Sequence, residues 1–336
     1  MIRIGILGCG FMGGMHAACY QALASTDVKL CGVNDSRPDF AQALAKKYGA
    51  ALFETPEAML QSGGIDVIDI CLPVDLHTKY AVAAMKAGKH VFIEKPVCLT
   101  EEEMSLLLQT EKETGVKVQV GQVIRHWKEY VWLKKAVESG AYGRVLSAQF
   151  QRLSARPTWA EADWVHQVRR SGGVAVEMHV HDVDFVRWLL GDPDTVQSQA
   201  SRDANGVIQH ITSLYGYGKD VSVMVEAGWD FPASFPFTAQ YMVRMEKATV
   251  WFRDNVLTVY PEDGEPFRPT LADACAGVEN AGGNISDLGG YYNELKYFAE
   301  GLKGQNDLSV ASLQTAISSV RLAWREVAAA GGLIMK

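Results

Sequence analysis

Residues 2–14 read IRIGILGCGFMGG, a short apolar run that leads straight into a turn containing three glycines. The apolar run predicts a first β-strand, and the residues after the turn predict a helix. Gly8 permits the tight turn, Gly10 lets the backbone approach a pyrophosphate, and Gly13 allows the helix and the strand to pack closely. The stretch therefore predicts a dinucleotide-binding turn and a fold built around it.

The turn, which includes Phe11 and Met12, opens the first predicted helix, whose N-terminus offers free N–H groups and a positive dipole end to phosphate. Asp35 ends the second predicted strand, near the place where a carboxylate binds the ribose hydroxyls of the cofactor. A carboxylate there repels a 2′-phosphate and favours NAD, whereas a neighbouring arginine such as Arg37 can accommodate NADP. These residues and Ser36 are predicted to bind the cofactor. The sequence favours NAD and leaves NADP open.

The first 120 residues alternate between strand-like and helical patterns. The predicted strands are 2–7, 28–34, 66–72, 90–94 and 116–120, and the predicted helices are 13–24, 38–48, 78–87 and 101–114. Strands separated by helices imply right-handed crossovers and a parallel sheet that is covered on both faces. Residues 1–123 are therefore predicted to form a doubly wound Rossmann domain that binds the dinucleotide.

After about residue 124 the pattern changes to longer strand-like stretches. The predicted strands are 145–153, 208–217, 221–229, 237–245, 248–253 and 256–260, and the predicted helices are 130–138, 174–190, 291–302 and 311–330. Residues 124–336 are therefore predicted to form a C-terminal α/β domain with a large, mostly antiparallel open sheet. This domain is expected to bind the substrate and to form a homodimer or homotetramer through its sheet.

The composition is that of a globular protein, with 48% apolar and 21% charged residues among 336. The net charge of −7 argues against a nucleic-acid partner and against docking on an anionic membrane. No apolar run is long enough to cross a bilayer, and the N-terminal apolar run is too short for a signal peptide. None of the six cysteines forms a CxxC pair, which favours reduced thiols in a cytoplasmic protein.

Glu94, Lys95 and Pro96 stand where the chain leaves a predicted strand of the parallel sheet, at the edge where ligands bind. A lysine held at this edge is able to face a nicotinamide. On these three residues alone, an exposed lysine in a turn is the simpler interpretation. The rest of the chain changes that interpretation.

Several further motifs accompany these three residues. They are GCGFMGGMH at 8–16, residues 66–77 with Pro73 and His77, AGKHVFIEKP at 87–96, Gly121 and Arg125, SGAYG at 139–143, and SGGVAVEMHVHDVDFVRWLLG at 171–191. On these motifs the chain resembles the glucose–fructose oxidoreductase and inositol dehydrogenase (Gfo/Idh/MocA) family over nearly its whole length. The resemblance implies a nicotinamide-dependent oxidoreductase that acts on a sugar or polyol.

The resemblance implies that Lys95 is catalytic and that His181 is the general acid/base. Many relatives carry an aspartate four residues before this histidine, where the present chain has Glu177. Residues i and i+4 of one helix share a face, so Glu177 and His181 are expected to point into one cleft. A carboxylate there would orient the imidazole and favour its charged form. Further residues predicted to bind the cofactor are Leu72, Pro73, His77, Glu94 and Lys95.

Residues expected to bind the substrate lie mainly in the C-terminal part. Arg125 matches a substrate-contacting arginine of inositol dehydrogenases, whereas Arg152 lies where those relatives use other polar groups, which argues against inositol itself. Trp159 and Trp164 are candidates to stack on a pyranose ring, and Trp164 is equally plausible as a core residue. His179 replaces the small residue usual in relatives and is expected to contact the substrate or a neighbouring subunit.

The predicted reaction transfers a hydride between the nicotinamide and a hydroxyl-bearing carbon of a sugar, polyol or sugar derivative. His181 takes the hydroxyl proton and Lys95 stabilises the developing alkoxide. No metal is expected, because His179 and His181 would point about 200° apart on a helix. One rival function uses tightly held NAD for transient oxidation during glycoside hydrolysis. Another is a catalytically silent sugar- or dinucleotide-sensing regulator, which the presence of Lys95 and His181 disfavours.

Overall fold

The computed structural model describes residues 1–158, 161–271 and 289–333. By their internal contacts these residues form two compact units. The first unit holds residues 1–126 and 289–317, and the second holds residues 127–158, 161–271 and 318–333. The assignment of separate roles to residues 1–123 and 124–336 stays a prediction.

A six-stranded parallel sheet lies at the centre of the first unit, in the strand order β3-β2-β1-β4-β5-β6. Its strands are β1 (Ile2–Leu7), β2 (Val28–Asn34), β3 (Ala51–Leu52), β4 (Val67–Ile70), β5 (His90–Glu94) and β6 (Val118–Gly121). The helices between them are α1 (Phe11–Ala22), α2 (Pro38–Tyr48), α3 (Pro56–Gln61), α4 (His77–Lys86) and α5 (Glu101–Thr114). This architecture confirms the predicted Rossmann fold.

Local chemistry explains most of these bounds. A parallel sheet is covered on both faces, so its strands are apolar runs, and Ile4, Ile6 and Leu7 of β1 are at most 1% exposed. α5 begins with a capping box in which Thr100 and Glu103 bind each other's backbone N–H groups. β3 and α3 were not predicted, because β3 is two exposed residues long and α3 spans six residues.

The second unit is built on a seven-stranded sheet in the order β13-β12-β11-β7-β10-β9-β8. Its strands are β7 (Val145–Ala155), β8 (Thr195–Arg202), β9 (Ile208–Tyr217), β10 (Val221–Phe231), β11 (Thr238–Met245), β12 (Ala248–Arg253) and β13 (Val256–Pro261). All neighbouring pairs are antiparallel except β7 with β10. The predicted mostly antiparallel sheet is confirmed. β8 was not predicted, because its sequence TVQSQASR is mostly small and polar, as suits an edge strand.

Four helices precede or interrupt this sheet: α6 (Lys128–Glu138), α7 (Val168–Ser171), α8 (Gly173–Glu177) and α9 (Val180–Leu190). The last two helices of the chain are α10 (Gly289–Leu302), in the first unit, and α11 (Leu313–Ala329), whose residues from 318 onward belong to the second unit. Within the described residues, no helix combines the length and the apolar character needed to cross a membrane.

The prediction of a single helix over residues 174–190 is wrong, because the helix is interrupted between α8 and α9. The N–H of His179 donates to the carbonyl of Val174, five residues back, at 2.8 Å. The N–H of His181 donates to Met178, three residues back, at 3.5 Å. The carbonyl of Glu177 therefore does not accept the helical bond from His181. The expectation that Glu177 and His181 share one helix face falls with this break.

Aromatic side chains fill the core of the second unit. The ring of Tyr130 on α6 lies edge-on to Phe185 of α9, with centroids 4.8 Å apart, and to Tyr241 of β11, with centroids 5.0 Å apart. Phe150 and Phe252 extend the cluster, and all five side chains are buried. Edge-to-face contacts of this kind add to the gain from burial. The cluster joins α6 and α9 to the covered face of the sheet.

Replacing Phe185 with alanine leaves a cavity in this cluster, so Phe185→Ala is expected to lower the free energy of unfolding by about 3–5 kcal/mol. Urea denaturation followed by circular dichroism measures the change. Phe267→Ala is the matched control, because Phe267 is 42% exposed. The control is expected to change stability by less than about 0.5 kcal/mol. Equal losses in the two variants would show that the cluster does not hold the unit together.

Candidate functional site

The glycine-rich turn joins β1 to α1, and its backbone contacts leave little room for side chains. Gly8 has a φ of +95°, and a Cβ atom there would lie 2.4 Å from the carbonyl oxygen of Cys71. A Cβ atom on Gly13 would lie 1.9 Å from the carbonyl oxygen of Gly8. At Gly10 a Cβ atom would meet Nη2 of Arg37 at 3.5 Å, an ordinary contact. Gly8 and Gly13 are thus required by packing, whereas the backbone at Gly10 stays open to a ligand.

The start of α1 is suited to an anion. Gly10 is its N-cap residue, and no side chain caps the helix. The first N–H groups of a helix have no partner within the helix, and the dipole places positive charge there. Phe11 is exposed and Met12 is half-buried beside these groups. The turn therefore fits the pyrophosphate of a dinucleotide.

Asp35 follows β2 and is tied to the same turn. Its Oδ2 accepts the N–H of Cys9 at 2.7 Å, and its Oδ1 accepts the N–H of Arg37 at 2.8 Å. The Nε of Arg37 lies 3.4 Å from Oδ1, and the guanidinium carbon lies 3.7 Å from the ring centre of Phe40. Ser36 is exposed between them. A carboxylate has about four acceptor positions, so Asp35 keeps capacity for ribose hydroxyls.

The remaining predicted cofactor residues of the first unit lie at the same edge of the sheet. Leu72 and Pro73 follow β4, and Lys95 follows β5, while β1, β4 and β5 are direct neighbours. Ligands of open α/β sheets bind at the carboxyl ends of the strands. The fold thus brings the glycine turn, Asp35 and Lys95 to one edge, as the sequence predicted.

His77 joins two of these loops. Its Nδ1 lies 2.9 Å from the carbonyl oxygen of Pro96, and its Nε2 lies 2.8 Å from that of Leu72. The side chain is fully buried, and burial lowers the pKa of His77 below its usual range. His77 therefore fixes the turn after β4 against the turn after β5. Direct contact of His77 with the cofactor stays a prediction.

Sequence reasoning missed a set of buried polar side chains below this edge. Nδ1 of His16 on α1 lies 2.9 Å from Oδ2 of Asp69 on β4, and both side chains have no exposed surface. The hydroxyl of Tyr20 donates to the same oxygen at 2.8 Å. The available signal was an acidic residue inside the apolar strand VIDI. Among the described residues, His16, Asp69 and Cys71 form one group that could hold a metal ion, and His16, Glu94 and Glu294 form another.

In the second unit, α9 is fixed to the sheet by a buried ion pair. Nε of Arg152 on β7 lies 2.7 Å from Oδ2 of Asp182, and Nη2 lies 3.2 Å from Oδ1. Arg152 is 3% exposed and Asp182 is fully buried. This two-point contact fixes the position of Asp182, which directly follows His181 in the sequence. His181 itself is half-buried in the first turn of α9. A substrate contact of Arg152 stays a prediction.

His179 stands at the break between α8 and α9 and is held within its own unit. Its Nε2 lies 3.0 Å from Oε1 of Glu326 on α11, which also accepts the hydroxyl of Tyr215 at 2.6 Å. All three side chains have no exposed surface. A fully buried ring cannot contact a neighbouring subunit, so that expectation is wrong. A contact of His179 with the substrate stays a prediction.

Three further residues were predicted to bind the substrate: Arg125, Trp159 and Trp164. The guanidinium of Arg125 is buried and donates to the carbonyl of Val310 within the first unit. Trp164 is half-buried against Val165, Val174 and Trp229, which supports the core alternative for this residue. Trp159 lies outside the described residues. Substrate contacts of Arg125 and Trp164 stay predictions.

Two family models match consecutive parts of the chain. Residues 2–122 match the model described as "Oxidoreductase family, NAD-binding Rossmann fold". Residues 130–251 match the model described as "GFO/IDH/MocA C-terminal domain". The matched regions correspond to the parallel sheet of the first unit and to most of the sheet of the second.

Individual proteins show the same likeness. The chain is 33% identical over 201 residues to the inositol 2-dehydrogenase of Rhizobium meliloti, which covers 60% of this chain and 58% of that protein. It thus matches little more than half the length of this relative. It is 26% identical to the scyllo-inositol 2-dehydrogenase (NAD(+)) of Bacillus subtilis, over 94% of this chain and 91% of that protein. The structure of a levoglucosan dehydrogenase in complex with NADH and levoglucosan matches with a TM-score of 0.83 at 20% identity, covering 98% and 97% of the two chains.

The Arg152–Asp182 pair gives a stability prediction for the second unit. Asp182→Asn removes the charge that balances a buried guanidinium, and breaking a buried pair in this way costs about 3–5 kcal/mol. Chemical denaturation measures the loss. Asp254→Asn is the matched control, because Arg253 and Asp254 form an exposed pair at 3.3 Å. It is expected to cost less than about 0.5 kcal/mol, and an equal loss in both variants would contradict the prediction.

Proposed function

Because the chain belongs to the Gfo/Idh/MocA oxidoreductase family, we propose that it is an NAD-dependent dehydrogenase or reductase acting on a hydroxyl-bearing carbon of a sugar or polyol. The observation that carries the proposal is the single sheet edge of the first unit, where the glycine turn, Asp35 and Lys95 follow neighbouring strands. A dinucleotide site and a lysine at one edge suit hydride transfer next to a cationic group.

We assign NAD as the cofactor, and the residues of the first unit support this choice. The open backbone at Gly10 and the uncapped start of α1 fit the pyrophosphate, and Asp35 is available to the ribose. Arg37 lies close to the Asp35 carboxylate and over the Phe40 ring, so part of its charge is already balanced. The carboxylate of Asp35 would repel the 2′-phosphate of NADP. Once bound, NAD would accept the hydride in oxidation and supply it in reduction.

Lys95 and His181 are proposed as the catalytic residues. The ammonium group of Lys95 would stabilise the charge that develops on the substrate oxygen, and His181 would take the hydroxyl proton in oxidation and return it in reduction. His181 is half-buried in the first turn of α9. The predicted catalytic role of Glu177 stays a proposal, because it rests on the family resemblance at this position as well as on the expected helix.

The substrate class is proposed from the names of the relatives, which include inositol 2-dehydrogenases, a D-glucoside 3-dehydrogenase and a levoglucosan dehydrogenase. All of these names denote ring compounds with several hydroxyl groups. Polar side chains that recognise one hydroxyl discriminate strongly against analogues that lack it. We propose Arg125 as one such group, since it matches an arginine used by inositol dehydrogenases.

A homo-oligomer is proposed through one face of the seven-stranded sheet. Leu214 is 46% exposed on this sheet, and the half-buried Met224 and Met242 line the same shallow pocket. Exposed apolar residues grouped in this way often mark protein interfaces. The described cysteines Cys9, Cys19, Cys31, Cys71 and Cys98 form no disulfide with one another, which supports the proposed cytoplasmic location. Cys275 lies outside the described residues.

Turnover tests the catalytic assignment. The purified chain is mixed with NAD and a panel of inositols, glucosides and levoglucosan, and the absorbance of the reduced nicotinamide is followed. Lys95→Ala and His181→Ala are each expected to lower kcat/KM by about 10²–10⁴-fold while NAD still binds. Lys86→Ala is the matched control, because Lys86 is exposed on α4.

Three outcomes would contradict the proposal. Turnover that survives both catalytic substitutions would remove Lys95 and His181 from the reaction. Cleavage of a glycoside without net production of NADH would favour transient oxidation during hydrolysis. Tight NAD binding with no turnover of any substrate, in wild type and variants alike, would favour a sensing role.

Cofactor choice gives a separate prediction. Asp35→Ser removes the carboxylate that repels a 2′-phosphate, so the preference for NAD over NADP is expected to fall by at least about tenfold, or about 1.4 kcal/mol. Fluorescence titration of both reduced cofactors gives the two Kd values. The control is Asp39→Ser, an exposed carboxylate on α2. An unchanged ratio in Asp35→Ser would show that another residue makes the choice.

A further inference from the structure

Below the sheet edge, the first unit contains a buried polar cluster that the proposed reaction does not use. Its members come from two helices and two strand ends: His16 and Tyr20 on α1, Asp69 and Cys71 on and after β4, Glu94 at the end of β5, and Glu294 on α10. His16, Asp69 and Glu294 have no exposed surface, and Glu94 is 6% exposed. Glu94 is also the residue next to Lys95.

One side of the cluster centres on the carboxylate of Asp69. Oδ2 of Asp69 faces Nδ1 of His16 at 2.9 Å and accepts the hydroxyl of Tyr20 at 2.8 Å, and Oδ1 lies 3.5 Å from Sγ of Cys71. Burial lowers the pKa of His16, but Asp69 and Cys71 together more than offset this and raise the pKa well above its usual range.

The other side of the cluster centres on Glu94. Oε1 of Glu94 lies 3.1 Å from Nε2 of His16, and Oε2 accepts the backbone N–H of Lys95 at 3.1 Å. A Cβ atom on Gly121 of β6 would come within 3.0 Å of Oε1, so the carboxylate is tightly enclosed. His16, protonated on both ring nitrogens, therefore lies between the carboxylates of Asp69 and Glu94. Glu94 in turn accepts the backbone N–H of Lys95, so the position of its carboxylate affects the peptide group of Lys95.

The carboxyl group of Glu294, unlike that of Asp69, accepts no hydrogen bond from a described residue. Neither of its carboxyl oxygens has a hydrogen-bond partner among the described residues. Oxygens of Glu294 and Glu94 and a ring nitrogen of His16 all lie within 4.8 Å of one another. An unpaired carboxylate without exposed surface is very unfavourable, and of two adjacent buried carboxylates one normally takes a proton. Burial and the neighbouring Glu94 raise the pKa of Glu294 well above its usual range.

Among the residues that the structure describes, the other groups around Glu294 provide no further cation. The 3₁₀ turn Val123–His126 also packs on α10, and its two basic side chains are directed elsewhere. Arg125 donates to the carbonyl of Val310, and the ring of His126 lies against Tyr297, with centroids 5.5 Å apart. Gln119 of β6 donates to the backbone carbonyl of Glu294. Within the described residues, His16 is thus the cation nearest to this carboxyl group, and Glu94 competes for it.

We propose that Glu294 is a neutral carboxylic acid whose O–H group donates a hydrogen bond to the Glu94 carboxylate, and that it thereby acts as a positioning residue for Lys95. Glu94 then receives the N–H of Lys95, the charge of His16 and the O–H of Glu294, which fixes its rotamer. The inference rests on the proposed function only for the role of Lys95. A displacement of about 1 Å at a catalytic group can cost about 10²-fold in rate, so the support behind Lys95 matters to turnover.

Substitutions at the two glutamates distinguish the donor from the acceptor. Glu294→Leu removes the donated proton and is expected to lower kcat by about 10²-fold with little change in NAD affinity. Glu294→Gln has the same shape and still donates, so it is expected to recover most of that loss. Glu94→Gln places an N–H₂ group where an acceptor is needed, and it is expected to be as impaired as Glu294→Leu.

Two further measurements decide the proposal without turnover. Infrared spectroscopy of the folded wild-type chain is expected to show the carbonyl band of a buried protonated carboxylic acid, and Glu294→Gln is expected to lose it. The second measurement is urea unfolding of both proteins between pH 5 and 8. A raised folded pKa means that the Glu294 contribution to stability is complete below its unfolded pKa of about 4.3 and is lost as pH rises. The unfolding constant of wild type relative to Glu294→Gln is therefore expected to rise by up to about tenfold per pH unit.

Several results would overturn the inference. A Glu294→Gln variant as impaired as Glu294→Leu would mean that Glu294 acts as an anion. One equivalent of a divalent cation that co-purifies with the chain and is lost in Glu294→Gln would make the cluster a metal site. Absence of the infrared band would also contradict it. If the chain oxidises no polyol, the proposed function fails, and the infrared and unfolding results still decide the protonation of Glu294.

Discussion

The first unit depends on the close approach of three backbone segments where β1 turns into α1. The carbonyl oxygens of Cys71 and Gly8 lie so near to Gly8 and Gly13 that a single added carbon would collide with them. This approach brings the start of α1 over the sheet edge and leaves its first N–H groups pointing outward. Because β4 and β5 follow β1 in the sheet, their loops reach the same edge. The whole candidate cofactor site thus follows from one packing constraint.

Sequence patterns located the elements with clear local signals. The bounds of β2, β5, α2 and α5 agree with prediction. Both helices have strong local signals, because α2 begins at Pro38, α5 begins after Thr100, and they end at the left-handed Gly49 and Gly115. The patterns failed where structure depends on distant contacts. The break before α9 coincides with the burial of His179 against Glu326, which lies 147 residues away in the chain. No local pattern around residue 178 contains that information.

Some residues of the candidate site also have local sequence signals, whereas others depend on distant contacts. Gly8, Asp35 and Lys95 could be placed from sequence, because each follows a strand of a sheet whose ligand edge is known in advance. The burial of Arg152 against Asp182 could not be predicted, since a charged residue on a strand gives no sign of a buried partner. Glu294 lies in a helix of ordinary composition, and nothing near it shows that its side chain enters a polar cluster formed by α1, β4 and β5.

The three donors around Asp69 have a consequence for how this chain can change over evolutionary time. Replacing Asp69 with an apolar residue would leave the buried hydroxyl of Tyr20 without its acceptor and would remove the carboxylate partner of His16. Buried groups without a partner cost about 1–3 kcal/mol each, a large part of the 5–15 kcal/mol that holds a typical domain folded. The positions are therefore expected to covary across homologous sequences, and drift at any one of them requires a compensating substitution at another.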